Sequence, residues 1–323
     1  MDSGNPCHSK AALLTKADLR PFCFLFQCPA VNLGTPAMLA PDQRQAPSGH
    51  AVEGVKVLYP SPLARRWHKP FFIVFLIWYA VNWMALLLGI RWPSDWRWVE
   101  PLLFLLGAAT LLVGLGRRIP LQNVLLSMML IIVFAGAVTA TDVKTGIPFG
   151  PCLHTENLSS PSFQPVPWPL PFLWIVVIVS SRGVARLMMR PWRKTNYYGY
   201  WIIGLTMTLA LLFDLGLEPF ATGVKQYWLW RTPPTVPNWY SAPWTNFLGW
   251  AVVVLGILFI TTPWLINKQP IKLPTDYHPL IVWLLWNGYF LTGNILHQNW
   301  PAVAVGLAGS AVAAVFAVRG GRW

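Results

Sequence analysis

From residue 70 onward, long unbroken apolar runs alternate with short polar connections. The runs cover roughly 71–90, 101–116, 121–140, 169–188, 197–217, 244–265, 279–296 and 300–318. A membrane-crossing helix needs about 20 mostly apolar residues. Most of the runs reach that length, while 101–116 is short and 169–188 is interrupted by polar residues. They are too long for strands, and none shows the in–out alternation of a membrane barrel, so helices are the spanning structure they permit. The pattern predicts an all-α, polytopic membrane helix bundle of about eight transmembrane helices over residues 70–323.

Residues 1–69 differ: charges and prolines are frequent, and the apolar patch at 22–26 is too short to cross a bilayer. It is also short for a signal-peptide core, and no clear cleavage site follows. This segment is predicted to be a mobile tail, with Met38 as a candidate alternative start.

Charge then orients the bundle. With the N-terminal flank and every second connection assigned to one side, that side holds fourteen Lys and Arg, from Arg65 to Arg322, against five on the other: Arg91, Arg97, Lys144, Lys225 and Arg231. The positive-inside bias predicts both termini in the cytoplasm. Of the 20 tryptophans, Trp92, Trp96, Trp98, Trp168, Trp228, Trp230, Trp239, Trp244 and Trp300 fall at run ends or in outer connections, as in an interfacial belt. Ala302, Gly306, Ser310 and Ala314 form a small-residue stripe in the last run, suited to close helix packing.

Composition agrees. Of 323 residues, 55% are AVILMFWYC and only 11% are charged, less than half of the about 25% in soluble domains. Mean hydropathy is +0.47. A soluble enzyme is excluded. The net charge of +13 is scattered between apolar runs rather than gathered in a basic stripe, so the expected partners are membrane lipids and not nucleic acid. Cys7, Cys23, Cys28 and Cys152 match no zinc or redox spacing, and no structural disulfide is expected. The six histidines form no cluster suited to iron. Neither a Gly-x-Gly-x-x-Gly turn nor a Gly-x-x-x-x-Gly-Lys loop occurs, so hydride transfer and ATP-driven transport lack their usual parts. No metal site and no cofactor is predicted.

Acid–base chemistry remains. Asp214 and Glu218 are the carboxylates at the end of a strongly apolar run. Four residues apart on a helix, they share one face. Two carboxylates this close in a low-dielectric place are expected not to ionise together, leaving a proton donor beside a proton acceptor. A solvated helix end is the simpler alternative, but intramembrane acids are costly. A second concentration is the Gly- and Pro-rich connection at 141–151, with Asp142, Thr145, Pro148 and Phe149. A third opens the sixth run, with Trp239, Tyr240, Trp244 and the amide Asn246. The charge count places all three on the non-cytoplasmic side, as one expected site.

These residues resemble a known family. The Thr-Gly-Ile-Pro-Phe-Gly-Pro turn at 145–151, the Asp-Leu-Gly-Leu-Glu-Pro helix end at 214–219, Tyr227-Trp228-Leu229-Trp230, and Pro243-Trp244-Thr245-Asn246-Phe247-Leu248-Gly249-Trp250 look like the carotenoid biosynthesis protein family, which includes carotenoid hydratases. The likeness covers roughly residues 70–295. It implies cofactor-independent hydration of the terminal isopropylidene double bond of an acyclic carotenoid end, giving a tertiary alcohol, in a prokaryotic plasma membrane. Bacterioruberin precursors and monocyclic carotenes are the substrates the resemblance suggests. The chain departs from the family pattern at Thr139, where an acid is frequent, at Asp142, where glycine is usual, and at Cys152, where an aromatic is usual.

Joined, the two lines make Asp214 or Glu218 the expected acid, with its partner or Asp142 orienting water. Trp239, Tyr240 and Trp244 are expected to offer π faces to a cation and Asn246 to hold the water, with Thr145, Pro148 and Phe149 lining the substrate. Alternatives are another isoprenoid-lipid enzyme, such as an isomerase or cyclase, or a transporter or lipid-binding scaffold. The oligomeric state is left open.

Overall fold

The computed structural model describes residues 61–90, 92–96, 98–159, 166–231, 233, 235–266 and 274–323. Eight helices follow in order: α1 (Pro62–Leu87), α2 (Leu102–Leu115), α3 (Leu121–Thr145), α4 (Leu170–Met188), α5 (Tyr198–Pro219), α6 (Trp244–Leu265), α7 (His278–Leu296) and α8 (Trp300–Gly321). Two short antiparallel ribbons accompany them, β1 (Cys152–His154) with β2 (Trp228–Trp230), and β3 (Asn238–Trp239) with β4 (Ala242–Pro243). The protein is an all-α polytopic bundle, as the apolar runs predict. Seven helices are long and apolar enough to cross a membrane. The exception, α2, has 14 residues and covers about 21 Å at 1.5 Å per residue, short of a hydrocarbon core of about 30 Å.

Contacts at the helix ends show strict up-and-down alternation. At one end, the His68 ring meets His278, Arg118 pairs with Asp276, and Arg182 reaches the Leu265 carbonyl. These join the start of α1, the ends of α2, α4 and α6, and the start of α7. At the other end, Trp83 bonds Thr292, Asn294 bonds the Gly216 carbonyl, and Ala302 bonds Tyr240. The start of α1 and the end of α8 therefore lie at the same end, where the basic residues are concentrated.

α1 begins at Pro62, inside the segment assigned to the tail, because Ser61 caps it through an N–H of Ala64 and proline suits a first helical position. Residues 1–60, with Met38 and three of the cysteines, lie outside the described residues. α3 runs to Thr145, several residues beyond the expected 140. It ends where Gly146 adopts φ 69°, a left-handed C-cap that favours glycine.

α4 is the most enclosed helix, packed against α2, α3, α5, α7 and α8. Its interrupting polar residues, Ser180, Ser181 and Arg182, are all buried. They face protein rather than lipid, which is why the run reads as weak on an apolar scale yet sits at the centre. The small-residue stripe of α8 is displaced from the expected register. Ala302 is buried, but a Cβ on Gly306 would meet open space. The close seam runs instead through Ala313, Ala317 and Gly320, where a Cβ at 320 would lie 2.0 Å from the Leu187 carbonyl oxygen.

Candidate acid–base site

Asp214 and Glu218 occupy the last two turns of α5, 0% and 1% exposed. Asn246, in the first turn of α6, bridges them. Its one amide nitrogen donates to Asp214 Oδ2 at 3.0 Å and to Glu218 Oε1 at 3.1 Å. A primary amide has two N–H groups, so this nitrogen serves both acids at once. Glu218 Oε2 accepts two indoles, Trp230 Nε1 at 2.9 Å and Trp228 Nε1 at 3.2 Å. Among the described residues, Asp214 Oδ1 is buried without a hydrogen-bond partner. Buried polar atoms are nearly always paired, so this oxygen has capacity for a further hydrogen bond.

Strand β2 supplies the two indoles by its period of two. Alternate residues share a face, so Trp228 and Trp230 turn inward while Leu229 is exposed. Pairing with β1 fixes the register, Cys152 opposite Trp230 and His154 opposite Trp228. Cys152 is a free thiol. Burial, with the charges of Asp142 and Glu218 behind it, pushes the thiol up to about 12. Burial lowers His154 to about 4, so its imidazole is neutral near pH 7.

Asp142 lies in the last turn of α3 and not in the connection where the sequence placed it. Its Oδ1 accepts the Phe149 N–H at 2.9 Å, so the carboxylate folds the following turn back onto its own helix. Thr145 Oγ1 donates to the Thr141 carbonyl and accepts from Ile147 N, and Thr245 Oγ1 donates to the Phe149 carbonyl. The Pro148 carbonyl rests on Gly249, where a Cβ would come within 2.7 Å of its oxygen. Phe149 stacks on Trp174, which packs on Trp250. The turn is thereby fastened to the start of α6, next to Asn246.

The aromatic candidates divide. Trp239 Nε1 donates to the carbonyl of Leu215, one residue from Asp214. The Tyr240 hydroxyl accepts the Ala302 N–H at the start of α8. Trp244 is 54% exposed and packs on Phe247. Trp96, Trp98 and Trp300 are likewise exposed. Trp228 and Trp230, read as belt residues from the sequence, are the indoles that reach Glu218. The advance signs were their spacing of two and their place in the Tyr227-Trp228-Leu229-Trp230 motif.

A second buried polar group lies at the same end. Glu100 Oε1 accepts the Tyr289 hydroxyl at 2.6 Å and pairs with Lys225 at 2.8 Å. Burial and the Glu100 charge hold the Tyr227 phenol well above its usual range. Among the described residues, no three His, Cys, Asp or Glu side chains converge in a way suited to a metal.

The fold and these groups define a multi-pass membrane protein with a buried carboxylate pair at one end of a helical bundle. Residues 99–313 match the carotenoid biosynthesis protein family, and the chain belongs to that family. The matched span holds every residue of the site just described. No curated protein and no solved structure matches the chain.

Proposed function

We propose that this protein hydrates the terminal isopropylidene double bond of an acyclic carotenoid end group. The family supports a role in carotenoid biosynthesis. The observation that carries the finer reading is the bridged pair: two buried carboxylates sharing one amide donor, with Asp214 Oδ1 unpartnered. In the proposed step, one protonated carboxyl gives its proton to the less substituted alkene carbon, leaving a tertiary cation. Water adds to that cation, and the oxonium proton passes to the other carboxylate. One water is consumed, a tertiary alcohol forms, and a proton moving between the two carboxyls resets the site.

The residues divide accordingly. Asn246 holds the two acids at fixed separation. Trp228 and Trp230 stabilise charge on Glu218, which favours Glu218 as the acceptor and Asp214 as the donor. The indole and phenyl surfaces around them offer π faces to the cation. Asp142 shapes the turn that seats α6. Thr145, Pro148 and Phe149 act through that turn as positioning residues, and the basic end of the bundle faces the cytoplasm.

Expression in a lycopene-producing bacterial host, followed by pigment mass analysis, tests the reading. The expected product is heavier than lycopene by one water. A product of unchanged mass would replace hydration with isomerisation or cyclisation through the same acid. Unaltered lycopene beside folded protein would remove this substrate and favour a binding role.

A further inference from the structure

At the opposite end from the acids, Arg182 is 8% exposed and its guanidinium has one hydrogen bond among the described residues, from Nη2 to the Leu265 carbonyl at 3.1 Å. Guanidinium carries five N–H donors. No described carboxylate answers it. The charged groups acting on Arg182 are Arg186, one turn further along α4, and the phenol of Tyr198 at the start of α5. Tyr198 in turn feels Arg186, Arg182, Arg193 and Arg190 and no acid. Asp276, a described acid at this end of the bundle, is taken by Arg118 at 3.4 Å and His278 at 2.6 Å. Arg190 is anchored on Thr275.

A buried cation without an opposite charge is strongly destabilising, and arginine is the side chain best shaped to grip phosphate oxygens in a fork. The geometry points to an anion site between α4, the start of α5 and the end of α6, which takes the phosphate of an anionic phospholipid headgroup on Arg182 and Arg186, with the Tyr198 hydroxyl beside them. Arg186 is exposed and forms the outer lip, while Arg182 forms the floor. Basic groups set between the ends of spanning helices are an arrangement that recognises anionic lipid headgroups. This site is independent of the chemistry proposed at the other end.

The test is thermal unfolding of the full chain in detergent, titrated with phosphatidylglycerol, phosphatidylcholine or inorganic phosphate. Phosphatidylglycerol is expected to raise the melting temperature saturably and phosphatidylcholine to leave it unchanged. Arg182→Gln and, separately, Arg186→Gln are expected to raise the half-saturating lipid concentration about tenfold or more, as befits loss of a charge-assisted hydrogen bond. Arg66→Gln, an exposed charge at the same end, is the control and is expected to change it less than about fivefold. An equal response to inorganic phosphate, lost in Arg186→Gln, would uphold the anion site and assign it to a soluble phosphate. Equal shifts with both lipids would overturn it. So would an unchanged half-saturation in Arg186→Gln, which keeps the buried arginine and so avoids the folding risk of Arg182→Gln.

Discussion

Trp230 sets its indole nitrogen 2.9 Å from Glu218 Oε2, across twelve residues of chain. The helix that carries the acid ends in a π turn at Phe220–Val224, and the strand that follows returns the indole to it. Trp230→Phe keeps the ring and removes the donor. Hydrogen bonds to charged groups contribute about 1.5–3 kcal/mol, so the rate per folded molecule is expected to fall about tenfold or more. Trp228→Phe, at the longer 3.2 Å contact, is expected to fall less. Equal activity in both variants and wild type would remove the indoles from the mechanism.

The close approach of α6 to the 145–151 turn gives a stability prediction. In Gly249→Ala the new Cβ would lie 2.7 Å from the Pro148 oxygen and 2.8 Å from Phe149 Cδ1. Backbone does not yield cheaply, so the expected cost is about 1–3 kcal/mol, typical of overpacking, read as a lowered melting temperature. Gly306→Ala meets nothing within 4 Å and serves as the neutral comparison. A matching loss in both would point to helix flexibility instead of contact.

Much of the architecture was legible in the sequence, and the failures have physical causes. Seven runs are apolar enough to announce spanning helices, and α6 has the very bounds expected, because lipid-facing positions must be apolar in every turn. α4 looked weak because enclosure by neighbours lets Ser180, Ser181 and Arg182 be polar without touching lipid. The true end of α3 was hidden because Asp142, Thr141 and Thr145 resemble a polar connection. Only the fold shows their side chains bonding back to backbone. At the site, the spacing of Asp214 and Glu218 told which helix face they share, and the amide Asn246 stood out as polar among aromatics. Trp228 and Trp230 could not be told from headgroup anchors, since both uses put indoles at helix ends. Glu100 and its partners Lys225 and Tyr289 are distant in sequence and carry no local motif.

Orientation follows from the shared end of α1 and α8. A reporter fused after Trp323 is expected in the cytoplasm, and one inserted at residues 231–237 on the opposite face, as the excess of basic residues directs. Both reporters on one side would contradict the up-and-down alternation as well as the charge argument.

His154 gives a pH dependence whose sign is fixed by burial. Its imidazole is lowered to about 4 from an ordinary 6.5. Between those values the unfolded chain binds the proton and the folded chain does not. Stability attached to the neutral ring is therefore full above 6.5 and is lost as pH falls through the window toward 4. Thermal unfolding of wild type and His154→Gln, compared at pH 7 and pH 4.5, is expected to show a smaller acid-induced drop in the variant. Parallel curves would mean that the ring is not buried against Trp228 as the 6.4 Å ring contact indicates.

The carboxylate pair decides the proposed chemistry. Asp214→Asn and Glu218→Gln preserve shape and hydrogen-bonding capacity while removing a proton donor or acceptor. If the two acids run the hydration, each variant is expected to lose about 100- to 10,000-fold in rate, the range for acid–base groups. Folded yield is expected to stay near wild type, because each change removes a costly buried charge and no packing atom. The two losses need not match, since one amide nitrogen serves both acids and a change at one alters the other. Asp142 separates site chemistry from scaffolding. Asp142→Asn retains the Oδ1 that accepts the Phe149 N–H and is expected to keep most of the activity. Asp142→Ala leaves that buried N–H unpaired at a cost of about 1–3 kcal/mol and is expected to lower yield and activity together. Hydrated product at wild-type rate from both Asp214→Asn and Glu218→Gln would end this mechanism. A large loss confined to Asp142→Asn would move the acid to the end of α3, and a loss confined to Glu100→Gln would move it to the group around Lys225 and Tyr289.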